Sequence, residues 1–190
     1  LVYDQMDTEG KPLPDGVSAF EAHGVIDHLA LESFALMLAK KEIHWNKVDA
    51  GDLKAGSIEV VSRAKKINEP SRYRINVNQN HNANVQFATV AHELAHLFLG
   101  HLGADKFLNV PLRLPLHQAP RELEAESVAF IVCARNGVVS KWQSYLSAYV
   151  NADTTTDQLD LYQIMRAAGQ VEALLWLTAH TKYDRPRKSN

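Results

Sequence analysis

The chain is organised around residues 84–100, which read NVQFATVAHELAHLFLG. Apolar residues recur in this stretch at three- and four-residue spacing, which predicts a helix that stops near Gly100. His92 and His96 are four residues apart, so both imidazoles lie on one helix face and can bind one cation at about 2 Å. Glu93, next to the first histidine, can accept a proton from a water on that metal. The stretch therefore predicts a metal-binding helix, and the alternative is a soluble helix with surface histidines.

A hydrolytic zinc site needs a third protein ligand and one open position. The metzincin pattern would place glycine and histidine seven and ten residues after the first histidine, but Leu99 and Leu102 occupy those positions. His101 is out of register by one residue. The sequence thus excludes the metzincin subclass and predicts that His101 is a histidine at the helix end, near the negative end of the helix dipole.

The other source of a third ligand is a glutamate on a later helix. A second helix is predicted from Arg121 to Arg135, and its first residues, 121–129, read RELEAESVA. Glu122 and Glu126 share one face, which can supply a metal ligand and an acceptor for the N–H of a ligating imidazole. Glu124 lies roughly opposite and is the fallback ligand. The alternative interpretation is a solvated acidic helix start, which the helix dipole also favours.

A small sheet and further helices are predicted around these two helices. Short β-rich segments occupy 43–45, 57–61 and 72–77, and in the last of them apolar and polar residues alternate as in a half-buried strand. Further helices are predicted from Ser18 to Lys40, at 140–150 and at 156–179. A loop at 102–119 is placed to shape a cleft. The predicted class is α+β, with a small mixed or antiparallel sheet packed against the histidine-bearing helix and further C-terminal helices.

Composition predicts one ordinary globular domain. The 190 residues carry a formal net charge of −2, 46% hydrophobic residues and a single cysteine. These values exclude a disulfide scaffold and disfavour non-specific nucleic-acid binding, and the apolar runs are too short to cross a membrane. We expect a lead-in at 1–17, a peptidase-like domain at 18–181 and a polar basic tail at 182–190. With no export leader in view, a cytoplasmic location is expected.

The motif pair resembles that of the ImmA/IrrE metallopeptidase family. In that gluzincin-type pattern HExxH is followed about 26 residues later by E-x-E-A and an acidic or Asn position. The resemblance implies a minimal zincin fold, Glu122 as the third ligand of one zinc ion, and Glu126 at the acidic position, where Asp or Asn is usual. It also implies hydrolysis of a peptide bond in a peptide or protein substrate by metal-activated water, with Glu93 as general base.

A closer resemblance is to the C-terminal peptidase-like domain of ArdC-type antirestriction proteins. It rests on VYD at 2–4, TEGKPLP at 8–14, ESVAFIVC at 126–133 and SYL at 144–146. In that family a single-strand DNA-binding domain precedes this module, so contact with DNA is expected only through such a domain. Because the chain also begins with Leu1, we expect a fragment of a longer protein or a stand-alone relative.

Further roles rest on position alone. Tyr145 is the preferred donor to the developing oxyanion, with Tyr149 and His117 as the other candidates. Asn76 and Asn78 suggest an edge strand that pairs with an extended peptide. Two other functions remain open: a zinc-stabilised interaction module that binds DNA or a host enzyme without cutting, and a repressor-cleaving protease of the ImmA/IrrE kind.

Overall fold

The computed structural model describes residues 21–51, 55–66, 69–140 and 159–177. The proposed lead-in and basic tail lie outside these ranges. The helices and strands follow one another along the chain as β1 (Ala22–Gly24), α1 (His28–Ala39), β2 (Ile43–Val48), β3 (Gly56–Ser62), β4 (Arg72–Asn78), α2 (Ala83–Phe98), α3 (Gln118–Arg135), β5 (Val138–Ser140) and α4 (Leu161–Leu174). The predicted α+β class is confirmed, and the three short strands, the histidine-bearing helix and the glutamate-bearing helix all form where the sequence places them.

The main sheet has three strands in the order β2-β4-β3, with β2 parallel and β3 antiparallel to β4. The sheet is therefore mixed. Tyr73, Ile75 and Val77 alternate along β4 and are fully buried, as the apolar–polar alternation predicts. The prediction that Asn76 and Asn78 mark an edge strand is wrong, because β4 is the central strand. Their amides instead bond Ser57 and the carbonyl of Gly51.

The N-terminal part of the described chain differs from the predicted helix. Instead of a helix running on from Ser18, β1 pairs antiparallel with β5, and α1 begins only after Asp27. Asp27 is the N-cap, since its side chain accepts a hydrogen bond from the Ala30 amide at 2.8 Å. Gly24 lets the two short strands approach, because a Cβ there would lie 2.5 Å from the Gly137 carbonyl oxygen. A long-range backbone pairing thus overrides the local capping signal.

The two C-terminal predictions have different outcomes. Of the helix predicted at 140–150, Ser140 lies in β5 and the remaining residues fall outside the described ranges. The helix predicted at 156–179 appears as α4, with Asp160 as an N-cap that accepts from the Gln163 amide at 3.0 Å. In the described ranges, every helix is too short or too polar to cross a membrane.

The histidine-bearing helix α2 lies at the centre of the fold. It contacts β3 and β4 of the sheet and also α3 and α4. All but two of its residues are buried, so it is covered on nearly every side rather than on one apolar stripe. Helix α2 is therefore held rigidly from several directions.

Cys133, on the neighbouring helix α3, is buried as well, and burial raises the pKa of its thiol to about 12.

Candidate metal centre

Three ligand atoms from two helices converge on one point. His92 Nε2 and His96 Nε2 are 3.1 Å apart on α2, and Glu122 Oε2 from α3 is 3.5 Å from each of them. With metal–ligand distances of about 2.0–2.1 Å, a tetrahedral zinc shell has ligand atoms about 3.3 Å apart. The triangle therefore has the dimensions of three corners of such a shell. In the described part of the chain, these three residues form the cluster whose atoms are close enough to share an ion.

The chemistry and exposure of the donors also suit a metal. Two imidazoles and one carboxylate favour zinc and similar transition-metal ions, whereas Mg²⁺ and Ca²⁺ take shells of oxygen. The side chains of His92, His96 and Glu122 are 12%, 9% and 22% exposed. Three protein ligands with partial exposure leave room for a fourth position that solvent or substrate can reach.

The ring of His92 is oriented by Glu126, which lies on the same face of α3 as Glu122. Its Nδ1 lies 3.2 Å from Glu126 Oε2, and the Glu126 side chain is 5% exposed. A carboxylate only accepts hydrogen bonds, so Nδ1 donates, and in the neutral ring that binds a metal the lone pair of His92 is at Nε2, inside the triangle. The structure thus brings Glu122 and Glu126 together with the histidines, one at each ring nitrogen of His92.

The ring of His96 has a different partner, which the sequence analysis missed. Its Nδ1 lies 2.9 Å from His101 Nδ1, and His101 Nε2 lies 3.1 Å from Glu124 Oε2. Glu124 is not at the triangle, because Arg113 binds both of its oxygens, at 2.5 and 3.0 Å. His101 is therefore a hydrogen-bonding partner of the metal site. The signal that could have located it is Gly100, since a glycine stop turns the following residue back onto the helix.

The electrostatics favour binding of a cation. Hydrogen bonds from both histidines keep the pKa of Glu122 far below its ordinary value, so its carboxylate is ionised. Burial lowers the pKa of His96 to about 4. Burial acts in the same direction on His92, but hydrogen bonds to Glu122 and Glu126 outweigh it and raise the pKa of His92 to about 10. At neutral pH the metal-free site therefore carries one proton more than two neutral imidazoles would, and His92 holds it; a bound cation would displace that proton.

The structure says less about the residues predicted to take part in catalysis. Glu93 is 9% exposed on α2, and its charge contributes to the raised pKa of His92, so it lies near the site. Tyr145 and Tyr149 lie outside the described residues. His117 is the exposed N-cap residue of α3 and makes no side-chain capping bond. The described geometry thus places the Glu93 carboxylate near the triangle but does not select a donor for an oxyanion.

A cleft of about 180 Å³ opens beside His101. The loop that precedes α3 forms one wall of it, including Arg113 and Leu114, and Arg121 of α3 also lines it. The buried Nε of Arg121 has no hydrogen-bond partner in the described part of the chain. The loop between α2 and α3 therefore shapes a cleft, as its position in the sequence suggests, and the positively charged side chain of Arg121 lies in the cleft wall.

Residues 52–133 match the family model described as the IrrE N-terminal-like domain, a peptidase family. The matched segment contains both histidines, Glu93 and the glutamates of α3. No curated protein and no solved structure matches the chain at a significant level. Over this segment, which contains the candidate metal site, the chain is similar to the ImmA/IrrE peptidase family.

Proposed function

We propose that this chain is a zinc-dependent peptidase domain of gluzincin type. His92, His96 and Glu122 would bind one zinc ion, and Glu93 would act as general base. The observation that carries the proposal is the triangle of ligand atoms with sides of 3.1, 3.5 and 3.5 Å. It lies inside the segment that matches a peptidase family, and its glutamate comes from a separate helix.

Each side chain of the site has a part in the reaction. Bound zinc supplies a Lewis acid that lowers the pKa of water and polarises a carbonyl. Glu93 takes the proton from the attacking water and passes it to the leaving amine. Glu126 keeps the lone pair of His92 inside the triangle through the 3.2 Å contact at Nδ1. Tyr145 is our proposed donor to the developing oxyanion, with Tyr149 and His117 as alternatives.

The substrate in this proposal is an extended peptide that pairs with β3. This strand is an edge of the main sheet within the described residues, so its outer backbone groups can pair with another chain. A Cβ at Gly56, the first residue of β3, would lie 2.5 Å from the Thr89 methyl group on α2. Arg63, just beyond the other end of β3, bonds the carbonyl of Leu102 just beyond α2. Strand and helix therefore run side by side in the same direction, and a paired peptide would follow the helix that bears the histidines.

We further propose a biological role for the peptidase domain. The resemblance to ArdC-type proteins at 126–133 and in the lead-in supports a role in antirestriction, in the cytoplasm, with DNA bound only through another domain. A second candidate is a protease that cleaves a helix-turn-helix repressor, as in ImmA/IrrE systems. The match over 52–133 favours this candidate, because the match is to the IrrE N-terminal-like domain.

The test of the catalytic proposal is Glu93→Gln. The variant should keep its zinc and lose hydrolysis of a fluorogenic peptide library, because Gln cannot accept the proton. Glu32→Gln, an exposed change on α1, is the matched control and should retain both properties. Turnover by Glu93→Gln at the unaltered rate would show that Glu93 is not the base. If the unaltered protein binds zinc but cleaves no peptide, the zinc-stabilised interaction module becomes the better explanation.

A further inference from the structure

The contacts behind His96 form a continuous chain that ends on an arginine. His96 Nδ1 meets His101 Nδ1, His101 Nε2 meets Glu124, and Glu124 is bound by Arg113. We propose that His101 is a positioning residue which, anchored by Glu124 and Arg113, holds His96 in the orientation and tautomer that metal binding requires. We name His101, Glu124 and Arg113 the relay. This inference rests on the proposed metal site.

The backbone at the end of α2 explains why His101 reaches His96. The His101 amide donates to the His96 carbonyl at 3.0 Å, and the Gly100 amide donates to the Leu97 carbonyl at 3.0 Å. These two bonds are those of a Schellman motif, in which a residue with positive φ turns the chain back over the last helical turn. Gly100 has a φ of 80° and fills that position. The helix stop therefore places the His101 ring against the His96 ring.

The direction of each hydrogen bond follows from counting protons. To serve as a ligand, His96 must offer the lone pair of Nε2 to the triangle, so its proton is on Nδ1. His101 Nδ1 must then accept a hydrogen bond from the Nδ1–H group of His96, so the proton of His101 is on Nε2. Glu124 Oε2, 3.1 Å from His101 Nε2, accepts this second bond. A neutral His101 with its proton on Nε2 is the one form that satisfies both contacts.

The surroundings of Glu124 keep its carboxylate a hydrogen-bond acceptor. Its side chain is fully buried, both oxygens bind Arg113, and the backbone amide of Asp160 donates to Oε1 at 3.0 Å. A buried carboxylate with these donors is ionised and held in one place. The cap of α4 and the loop before α3 therefore both anchor Glu124, and the relay connects Glu124 through His101 to His96. His92 is oriented directly by Glu126, whereas His96 is oriented through a histidine.

The first test determines which ring nitrogen of His101 carries the proton in the unaltered, zinc-loaded protein. Long-range ¹H–¹⁵N NMR correlations of the imidazole rings should show the proton of His101 on Nε2 and an unprotonated Nδ1. A proton on Nδ1, or on both nitrogens, would overturn the relay, because His101 could not then accept from His96. A role of His101 in packing alone predicts no particular tautomer. The measurement needs no variant, so it decides the question even if substitutions at this site fail to fold.

The second test measures zinc affinity by competition with a chromophoric chelator. His101→Phe keeps a ring but has no hydrogen-bonding nitrogen, and it should bind zinc 10–100-fold more weakly. The visible spectrum of the cobalt-loaded variant should shift as well, since the His96 ring is released. His28→Phe, at an exposed histidine on α1, should leave both unchanged.

The two proposals fail in different ways. Absence of zinc binding by the unaltered protein would remove the metal site itself. Tight zinc binding by the unaltered protein, with equal affinity in a folded His101→Phe variant, would overturn the relay and leave the metal site intact.

Discussion

Replacement of Glu122 by glutamine is the sharpest single perturbation of the proposed centre. Glu122→Gln keeps the size of the side chain and removes the charge of the oxygen that lies 3.5 Å from both histidine nitrogens. It leaves both imidazoles in place. Any loss of affinity therefore reports the contribution of the carboxylate as a ligand.

The expected size of the effect follows from ligand chemistry. A group that only orients a ligand is worth 10–100-fold in metal affinity, so a charged ligand should be worth at least about 100-fold. At zinc 1,000-fold above the Kd of the unaltered protein, binding adds about 4.1 kcal/mol to the free energy of unfolding. A 100-fold weaker site at the same zinc concentration adds about 1.4 kcal/mol. For a chain of 190 residues each kcal/mol corresponds to roughly 2–4 °C.

The assay is thermal unfolding with zinc and with a chelator. Zinc should raise the Tm of the unaltered protein by about 8–16 °C and that of Glu122→Gln by about 3–6 °C. Glu32→Gln should show the full rise. If Glu122→Gln keeps the full zinc-dependent rise, Glu122 is not a ligand and the two-helix centre is wrong.

Three further predictions concern the surroundings of the site. Glu126→Ala should weaken zinc binding about 10–100-fold in a chelator competition, because His92 loses its orienting acceptor; unchanged affinity would contradict that role. The pKa of Glu124 is lowered from 4.5 to about 2, because bonds from His101 and Arg113 outweigh burial, so its stabilisation is present above pH 4.5 and is lost as pH falls toward 2. Urea unfolding of Glu124→Gln should therefore depend less on pH between 5 and 3, and an equally steep dependence would refute this account. Gly100→Ala should lower the free energy of unfolding by about 1–3 kcal/mol, since φ is 80° and the new Cβ would lie 2.6 Å from the Pro111 carbonyl oxygen; a loss below about 0.5 kcal/mol would show that the turn is not strained.

Local geometry explains which features the sequence could predict. Residues four apart on a helix share a face whatever surrounds them, so the pairing of His92 with His96 and of Glu122 with Glu126 needed only the helices to form. The alternation along β4 predicted its buried face for the same reason. The β1–β5 pairing could not be predicted in this way, because it joins residues more than 100 positions apart, and there a local capping signal pointed to a helix.

By itself, then, the sequence determined the motif, its helix and the two acidic candidates that share a face. Tertiary structure decided which carboxylate each histidine meets: Glu122 at the triangle, Glu126 behind His92, and Glu124 behind His101. The reason is that helical spacing sets distances within one element, whereas distances between α2 and α3 depend on how the two helices pack. The contact between His96 and His101 depended on both the local sequence and the tertiary packing. Gly100 supplied the turn, and only the buried Glu124–Arg113 pair gave His101 a partner that holds it there.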